Sequence, residues 1–337
     1  MRPATLAVKP LPGEFELIAR LCRRLPLSSR TLLGPGDDCA VIRRPRGAQL
    51  FTIDSMVEDV HFKLDWATPQ QIGYRSLTVN LSDIAAMGGV PTACVVNLAV
   101  RRGLDLRFFD RLYAGLNQAA ADAKVDVVGG NITGGEQFAI TIALLGDVGR
   151  AVMTRDKARL DDEIFVTGTV GDAAAGVRIL YGKLTARGAA RKFLINRYLE
   201  PTARLAAGAK LSQIRPAAAA IDISDGLVQD LGHILERSGV GAEIDTDALP
   251  LSLPYRSVLG NDVKLALRGG EDYELLFCLK RGHSEAKLSR YLGVPVRRIG
   301  RILPRSHGLK LRGPDGVSRP PSSAGWNHLS ARNRRSN

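Results

Sequence analysis

Five short acidic segments interrupt this basic chain, and each lies within or beside a predicted strand or helix. They are the GDD sequence at 36–38, Asp54, Asp83, the DISDG sequence at 222–226 and the GGEDYE sequence at 269–274. Carboxylate oxygens are ligands of hard divalent cations, and glycine lets a backbone approach phosphate closely. A fold that gathers these segments can hold several Mg²⁺ ions and a polyphosphate. The pattern therefore predicts an enzyme that transfers phosphoryl groups from a magnesium–nucleotide complex.

Helical and strand periodicities alternate along both halves of the chain, which predicts a mixed α/β (α+β) fold. In the first half we predict helices at 14–24, 69–87 and 105–123, and strands at 39–44, 49–57, 92–100, 125–130 and 137–148. In the second half we predict helices at 172–181 and 227–238, and strands at 163–167, 219–223, 241–244 and 274–279. We detect no residue-level internal repeat.

The 337 residues suffice for two domains of the usual size, about 150 residues each. Residues 155–162 are charged and show no hydrophobic period, so we place a domain boundary near 151–157. The predicted domains are 13–152 and 153–330, with tails at 1–12 and 331–337. Because 45% of the residues are hydrophobic but only 5% are aromatic, the core must be mainly aliphatic, as is common in α/β proteins.

The four cysteines are widely spaced, without a CxxC pair or a neighbouring histidine at zinc spacing: Cys22, Cys39, Cys94 and Cys278. This favours isolated thiols in a reducing compartment. The N-terminal residues show no apolar signal region, and no apolar run approaches the roughly 18 residues that span a bilayer. We therefore expect a cytoplasmic protein with no membrane partner.

The net charge of +13 raises the alternative of a basic nucleic-acid-binding module. However, arginine outnumbers lysine, the positive residues are scattered except at the C-terminal end, and no helix-turn-helix, finger or RNP pattern accompanies them. We favour biased composition on a solvated surface, with steering of phosphorylated small molecules as a second explanation. No nucleic-acid partner is expected.

The acidic residues of the first half each have a competing structural interpretation. Neighbouring side chains on an extended segment face opposite ways, so Asp38 is favoured over Asp37 as a ligand, although GDD is also a common turn. Asp54 interrupts an apolar strand and shares a face with Thr52, but an edge strand could expose it to solvent. Asp83 lies in an apolar helical run, where an isolated carboxylate is costly; a metal ion or an arginine would compensate it.

Glycines at 129–135 surround Asn131 and Thr133, and the segment is predicted as a loop whose amides could contact phosphate. A simple glycine-rich hairpin is the alternative. In the second half, Asp222 and Ser224 share a strand face, and Asp225 precedes a helix N-terminus, where anions and their metals collect. Asp225 could instead be only the N-cap. Gly269 and Gly270 should form a turn that presents the following acidic residues at its rim.

Seven segments, in order, closely resemble the thiamine-monophosphate kinase family, and the resemblance covers roughly residues 13–328. They are GDDCAVI, TIDSMVEDVHF, RSLTVNLSDIAAMGGVPT, GGNIT, TRDKARLDDEIFVTGTVGDAAAG, DISDGL and GGEDYELLF. The resemblance implies a fold of the aminoimidazole ribonucleotide synthetase superfamily, usually a homodimer whose N-terminal sheets pair. It also implies phosphorylation of thiamine monophosphate by ATP to thiamine diphosphate, the last step of thiamine diphosphate biosynthesis.

By position, the resemblance implies roles for individual residues. The Mg²⁺ ligands would be Asp38, Thr52, Ile53 through its backbone, Asp54, Asp83, Asn131, Asp222 and Asp225. ATP would contact Gly129, Gly130, Arg155 and Ser224, and thiamine monophosphate would contact His61, Glu271 and Trp326. Trp326 could instead be a plug that anchors the tail. No residue is expected to act as a catalytic acid or base.

Two departures from the family pattern concern these sites. Asn131 stands where the family often has the aspartate of a GGD sequence, so one negative charge is missing from a predicted metal ligand. Asp59 stands where a glycine is common in EGxHF, which could reshape the substrate loop. Among superfamily relatives, selenophosphate synthetase would show a reactive Cys and Lys in an N-terminal glycine-rich segment, and the hydrogenase-maturation relative would end in Cys. This sequence shows neither feature.

Overall fold

The computed structural model describes residues 14–23, 25–33, 41–43, 48–216 and 218–321. The chain divides into two compact units, one comprising residues 1–81 and 91–147 and the other residues 82–90 and 148–337. The cut between residues 147 and 148 lies a few residues before the boundary predicted near 151–157. Residues 82–90 belong to the second unit although the predicted N-terminal domain includes them.

The described part of the first unit combines helices with a four-stranded sheet. Its elements are α1 (Glu14–Cys22), β1 (Thr31–Leu33), β2 (Val41–Ile42), β3 (Gln49–Val57), α2 (Pro69–Ala86, whose last residues belong to the second unit), β4 (Val90–Val100), α3 (Leu106–Ala123), β5 (Asp126–Gly134) and β6 (Ala139–Asp147). The sheet order is β3-β6-β4-β5, and β1 pairs separately with β2. β3 runs antiparallel to β6, whereas β4 and β5 are parallel.

Helix α2 begins with a capping box, as the Thr68-Pro69 pair suggests. The Gln71 N–H donates to Thr68 Oγ1 at 3.2 Å, and the Thr68 N–H donates to Gln71 Oε1 at 3.0 Å. Helices α2 and α3 also approach each other closely, because a Cβ added at Gly73 would lie 1.9 Å from the Leu112 carbonyl oxygen. The glycine in this apolar helix therefore serves packing.

The sheet of the first unit has one buried and one exposed face. Met56, Ile142 and Leu98 lie on the buried face. The opposite face carries Phe51 and Val95, with 72% and 42% of their surface exposed. Among the described residues of the first unit, helices therefore cover only one side of the sheet.

The second unit contains a seven-stranded sheet flanked by helices. Its elements are β7 (Glu163–Thr167), α4 (Asp172–Leu180), α5 (Gly188–Leu199), α6 (Leu205–Leu211), β8 (Ala219–Asp222), α7 (Leu227–Ser238), β9 (Gly241–Asp245), α8 (Leu253–Leu259), α9 (Lys264–Arg268), β10 (Leu275–Leu279), α10 (Glu285–Leu292), β11 (Val296–Leu303), β12 (Leu309–Arg312) and β13 (Ser318–Arg319). The order is β13-β12-β9-β11-β7-β10-β8. Among the registered pairs of the second unit's described strands, only β9 and β12 pair in parallel.

Both faces of the central strands β7 and β10 are buried. Ile164 and Leu276 pack with α7 on one side. On the other side, Phe165 and Phe277 stack with ring centroids 5.5 Å apart. Continuous apolar runs, rather than alternating ones, are typical of strands covered on both faces.

The glycine-rich segment at 129–135 differs from its prediction. Strand β5 continues to Gly134 and pairs with β4 as far as Val100, so the predicted loop is wrong. A Cβ at Gly130 would lie 2.0 Å from the Val96 carbonyl oxygen. Glycine is required here by the close approach of two strands and not by a turn. Within the described residues, no helix is long and apolar enough to cross a membrane.

Candidate active site

Strand β3 places Thr52 and Asp54 on the face of the sheet that carries the core. Asp54 lies opposite Ile142 of β6, and it is half-buried. Two residues further, Met56 Sδ accepts a hydrogen bond from Ser76 Oγ of α2 at 3.4 Å. β3 is an edge strand, as the competing interpretation of Asp54 supposed, but the Asp54 side chain points toward the helical layer. Ile53 points the opposite way and is 62% exposed.

The loop after β3 holds His61 through several contacts. His61 Nδ1 accepts from the Val57 N–H at 3.1 Å, so the neutral ring carries its proton on Nε2. The His61 carbonyl oxygen accepts from Arg75 at 3.0 Å. Asp59 has φ +64° and donates its N–H to the Phe62 carbonyl oxygen at 2.7 Å. Aspartate thus adopts the left-handed conformation that glycine would adopt without strain, so the loop keeps its shape.

Glu58 anchors the same loop, a role that the sequence analysis missed. Its carboxylate accepts from Arg101 at 2.7 and 3.0 Å and from the Phe138 N–H at 3.2 Å. The hydrogen bond from Arg101 holds the pKa of Glu58 below its usual range. Arg101 lies 43 residues from Glu58 in the sequence, so no local sequence signal could have revealed this role of Glu58.

Asn131 lies on the exposed face of β5, where its Nδ2 donates to Asn97 Oδ1 at 2.9 Å. This is the face opposite that of Asp54. β3 and β5 are also opposite edges of the sheet, three strand spacings or about 14 Å apart. Within one chain, Asp54 and Asn131 therefore cannot bind the same ion.

In the second unit, Asp83 and Asp222 lie close enough to influence each other. Burial, and next the charge of Asp83, raise the pKa of Asp222 to about 7, while Arg155 acts in the opposite direction. Ser82 Oγ donates to Asp222 Oδ2 at 2.7 Å, and Asp222 is only 4% exposed. Two neighbouring carboxylates, one of them buried, are costly unless a cation or a proton lies between them. This arrangement fits a divalent cation.

The Ser224–Gly226 turn after β8 is held by a residue that the sequence analysis did not consider. Asp230 Oδ2 accepts from the N–H groups of Ser224 (3.1 Å), Asp225 (3.1 Å) and Gly226 (3.0 Å). Gly226 is the N-cap of α7, so the N-cap interpretation of Asp225 is wrong. An aspartate in the first turn of a helix was the available signal, but its partners could not be read from spacing alone.

The loop that carries Glu271 is joined to this turn. The Glu271 N–H donates to the Ser224 carbonyl oxygen at 2.8 Å, and the Tyr273 N–H donates to the Ile223 carbonyl oxygen at 2.9 Å. Glu271 and Tyr273 both have positive φ, +72° and +52°. Tyr273 Oη donates to Glu271 Oε2 at 2.7 Å. The structure thus brings together Ser224, Asp225 and Glu271.

Asp272 and Glu274 are fully buried, so the expectation that they lie at the rim with Glu271 is wrong. Asp272 accepts from the N–H groups of Gly171 and Ala173 at the start of α4, at 2.6 and 3.2 Å. Glu274 binds Arg204 and Arg197 and accepts from Thr167. Burial raises the pKa of Asp272 to about 7. These two acids support the loop from inside.

Asp38 and Trp326 lie outside the described residues. In the described part of the chain, no three His, Cys, Asp or Glu side chains form a metal-binding group by themselves. The predicted ligands that are described divide between Thr52, Ile53, Asp54 and Asn131 in the first unit and Asp83, Asp222 and Asp225 in the second. Arg155 begins a short 3₁₀ turn and is exposed.

Known proteins match this chain over most of its length. The AIR synthase related protein family matches with its N-terminal domain at residues 36–148 and its C-terminal domain at residues 160–310. Thiamine-monophosphate kinase from Bacillus subtilis is 33% identical over 324 residues, which cover 94% of this chain and 99% of the relative. The chain belongs to the thiamine-monophosphate kinase family.

Solved structures of this family agree with the fold. The crystal structure of thiamine-monophosphate kinase from Stenotrophomonas maltophilia K279a matches this chain with a TM-score of 0.79. The two are 36% identical, and the match covers 91% of this chain and 98% of that one. The structure described as AaThiL complexed with AMPPCP and TMP has a TM-score of 0.74, with 35% identity over 83% of this chain and 87% of that one. The family membership confirms the resemblance and the mixed α/β fold.

Proposed function

We propose that this protein transfers the γ-phosphoryl group of ATP to thiamine monophosphate, giving ADP and thiamine diphosphate. The observation that carries the proposal is the match to a family structure bound to an ATP analogue and TMP, at 35% identity over 83% of this chain. The joined loops of Ser224, Asp225 and Glu271 support it, because they bring residues expected at the nucleotide, the metal and the acceptor into contact. We include a cytoplasmic location in the proposal; the described cysteines Cys22, Cys94 and Cys278 are free thiols.

The acceptor explains why the site needs no general base. The second pKa of a phosphate monoester is about 6, so the attacking oxygen is already largely anionic at neutral pH. The protein must instead hold two polyanions in line and offset their charge. Arg155 contributes positive charge beside Asp222. When bound, Mg²⁺ supplies the remaining neutralisation of the phosphates.

We propose that Asp83, Asp222 and Asp225 hold Mg²⁺ in the second unit only together with the phosphate oxygens of ATP, since no three described side chains form a metal-binding group by themselves. Thr52 and Asp54, with the backbone of Ile53, form a second group, and Asn131 a third. Asp38 remains a ligand predicted from sequence. The mutual influence of Asp83 and Asp222 supports the first group, since a divalent cation relieves repulsion between carboxylates.

We also propose a homodimer formed through the exposed face of the first unit's sheet. Phe51, Ile53 and Val95 leave an apolar surface on that face, which is typical of an interface. Phe51→Glu should convert the dimer to monomer in sedimentation velocity, and Phe193→Glu, at a 39% exposed site of the second unit, should not.

Glu271 is the proposed contact to the cationic thiamine moiety, together with His61 and Trp326. Its carboxylate is oriented by Tyr273 Oη, so it complements a positive ring system without rearrangement.

An ADP-release assay tests the proposal. ATP turnover should require both Mg²⁺ and thiamine monophosphate, and thiamine should not replace the phosphorylated acceptor. Glu271→Gln should raise KM for thiamine monophosphate about tenfold and leave KM for ATP within about twofold, since tenfold corresponds to about 1.4 kcal/mol. Turnover that is independent of the acceptor would contradict the proposal.

A further inference from the structure

Asn80, in helix α2, has a buried amide oxygen that accepts no hydrogen bond from the described residues. Asn80 is 0% exposed, and its Nδ2 donates to the Ser76 carbonyl oxygen at 3.0 Å. This bond orients the amide, so Oδ1 points away from that carbonyl. A buried oxygen without a donor or a cation is costly, and each such atom calls for an explanation. Asn80 Oδ1 is therefore suited to a water molecule or a cation.

The direction of α2 relative to β3 decides what Asn80 faces. Thr92 Oγ1, near the start of β4, donates to the Leu145 carbonyl oxygen at 3.1 Å. Leu145 pairs with Phe51, near the start of β3. The chain leaves β3 at Val57 and enters β4 beside the opposite end of β3, and α2 makes this connection. Helix α2 therefore runs antiparallel to β3, as in a crossover between parallel strands.

One turn of α2 leads from Ser76 to Asn80, and this step leads toward Asp54. Ser76 Oγ donates to Met56 Sδ at 3.4 Å, which fixes where the helix lies over the strand. Residues four apart share a helix face and are separated by about 6 Å along the axis. Met56 and Asp54 share a strand face and are separated by about 7 Å. Asn80 therefore faces Asp54, and Thr52 lies on the same strand face one step further.

We propose that Asn80 is a positioning residue of the Mg²⁺ group formed by Thr52 and Asp54, and that its Oδ1 accepts a hydrogen bond from a water bound to that ion. The inference rests on the proposed use of Mg²⁺ and ATP. Magnesium usually keeps several waters, and partners of its ligands strengthen binding by orienting them. Asn80 supplies an acceptor without a further negative charge, and its bond to Ser76 holds the acceptor in place.

The test measures, by calorimetry, the Mg²⁺ concentration at which binding of a non-hydrolysable ATP analogue is half-maximal. Asn80→Leu keeps the size of the side chain but removes the oxygen, so this concentration should rise at least about tenfold, as is usual when a partner of a metal ligand is lost. Thr78→Val is the matched control. Thr78 is 2% exposed in the same helix, but its Oγ1 already has a partner, the Tyr74 carbonyl oxygen at 2.9 Å. This variant should leave the Mg²⁺ requirement unchanged.

A crystal structure of the wild-type protein with Mg²⁺ and the analogue decides the question even if Asn80→Leu does not fold. A water should lie about 2.8 Å from Asn80 Oδ1 and about 2.1 Å from a Mg²⁺ ion that Asp54 binds. The absence of such a water, or equal Mg²⁺ requirements in folded Asn80→Leu and Thr78→Val, would overturn the inference alone. Failure of the wild-type protein to bind the analogue at any Mg²⁺ concentration would overturn the proposed function as well.

Discussion

Glu274→Gln should destabilise the protein far more than removal of a comparable surface acid. The Glu274 side chain is 1% exposed and accepts from Arg204 Nε at 2.6 Å, Arg197 at 3.0 Å and Thr167 Oγ1 at 2.7 Å. The two arginine side chains are 21% and 13% exposed, so both would lose a charged partner in a mostly dry environment. Breaking a buried ion pair in this way costs about 3–5 kcal/mol.

The lower end of that range applies, since Arg197 keeps Asp172 at 4.0 Å. A loss of about 3 kcal/mol lowers the melting temperature by about 6–12 °C for a unit of this size. Calorimetry of Glu274→Gln and Glu285→Gln provides the comparison. Glu285 also pairs with an arginine, Arg297 at 3.2 Å, but the two side chains are 35% and 56% exposed, so its loss should cost at most about 1 kcal/mol. Equal melting temperatures for the two variants would refute the reasoning from burial.

Three further changes test other parts of the account. Asp83→Asn should stabilise the metal-free protein by about 1 kcal/mol through relief of repulsion with Asp222, while lowering turnover at least about a hundredfold and reducing the Mg²⁺-induced rise in melting temperature; an unchanged Mg²⁺ response would show that Asp83 is not a ligand. Asp59→Gly should stabilise the protein by about 0.5–1 kcal/mol in denaturant unfolding, because φ +64° is strained for aspartate. A loss of stability would mean that contacts of the Asp59 side chain stabilise the folded protein by more than the backbone strain costs. Glu58→Gln should cost about 1.5–3 kcal/mol at pH 7, and the difference from wild type should shrink as the pH falls below 4.5, because the pKa of folded Glu58 lies below that value and its stabilising ionised form is lost as the pH falls through the folded pKa; a difference that stays constant throughout the acid range would contradict the ion pair with Arg101.

Strong local periodicity made much of the fold predictable. The helix at 69–87 has a capping box and a glycine stop, and the structure places α2 at Pro69–Ala86. By contrast, α5 was not predicted. Its sequence GAARKFLINRYL buries Leu194, Ile195 and Tyr198 but has almost no one-sided apolar pattern in its first two turns. The glycines at 129–135 also did not distinguish a loop from strand β5. Gly130 is required by the close approach of the β4 backbone, which is distant in the sequence.

The candidate site was predictable as a set of residue types but not as a geometry. Glu271, Asp272 and Glu274 look equivalent in sequence, yet only Glu271 reaches the surface, because the other two meet a helix start and two arginines that are distant in the chain. Likewise, the spacing that put Asp222 and Ser224 on one face says nothing of Asp230. Contacts between distant segments decide which acids can bind a ligand.

Direct detection of the transferred phosphoryl group is the most decisive measurement. The protein is incubated with γ-³²P-labelled ATP, Mg²⁺ and thiamine monophosphate in a single turnover, and the products are separated by chromatography. The account predicts that the label appears in thiamine diphosphate in step with ADP and that EDTA abolishes the transfer. Label found only in inorganic phosphate, or none released from ATP with acceptor and Mg²⁺ present, would contradict it.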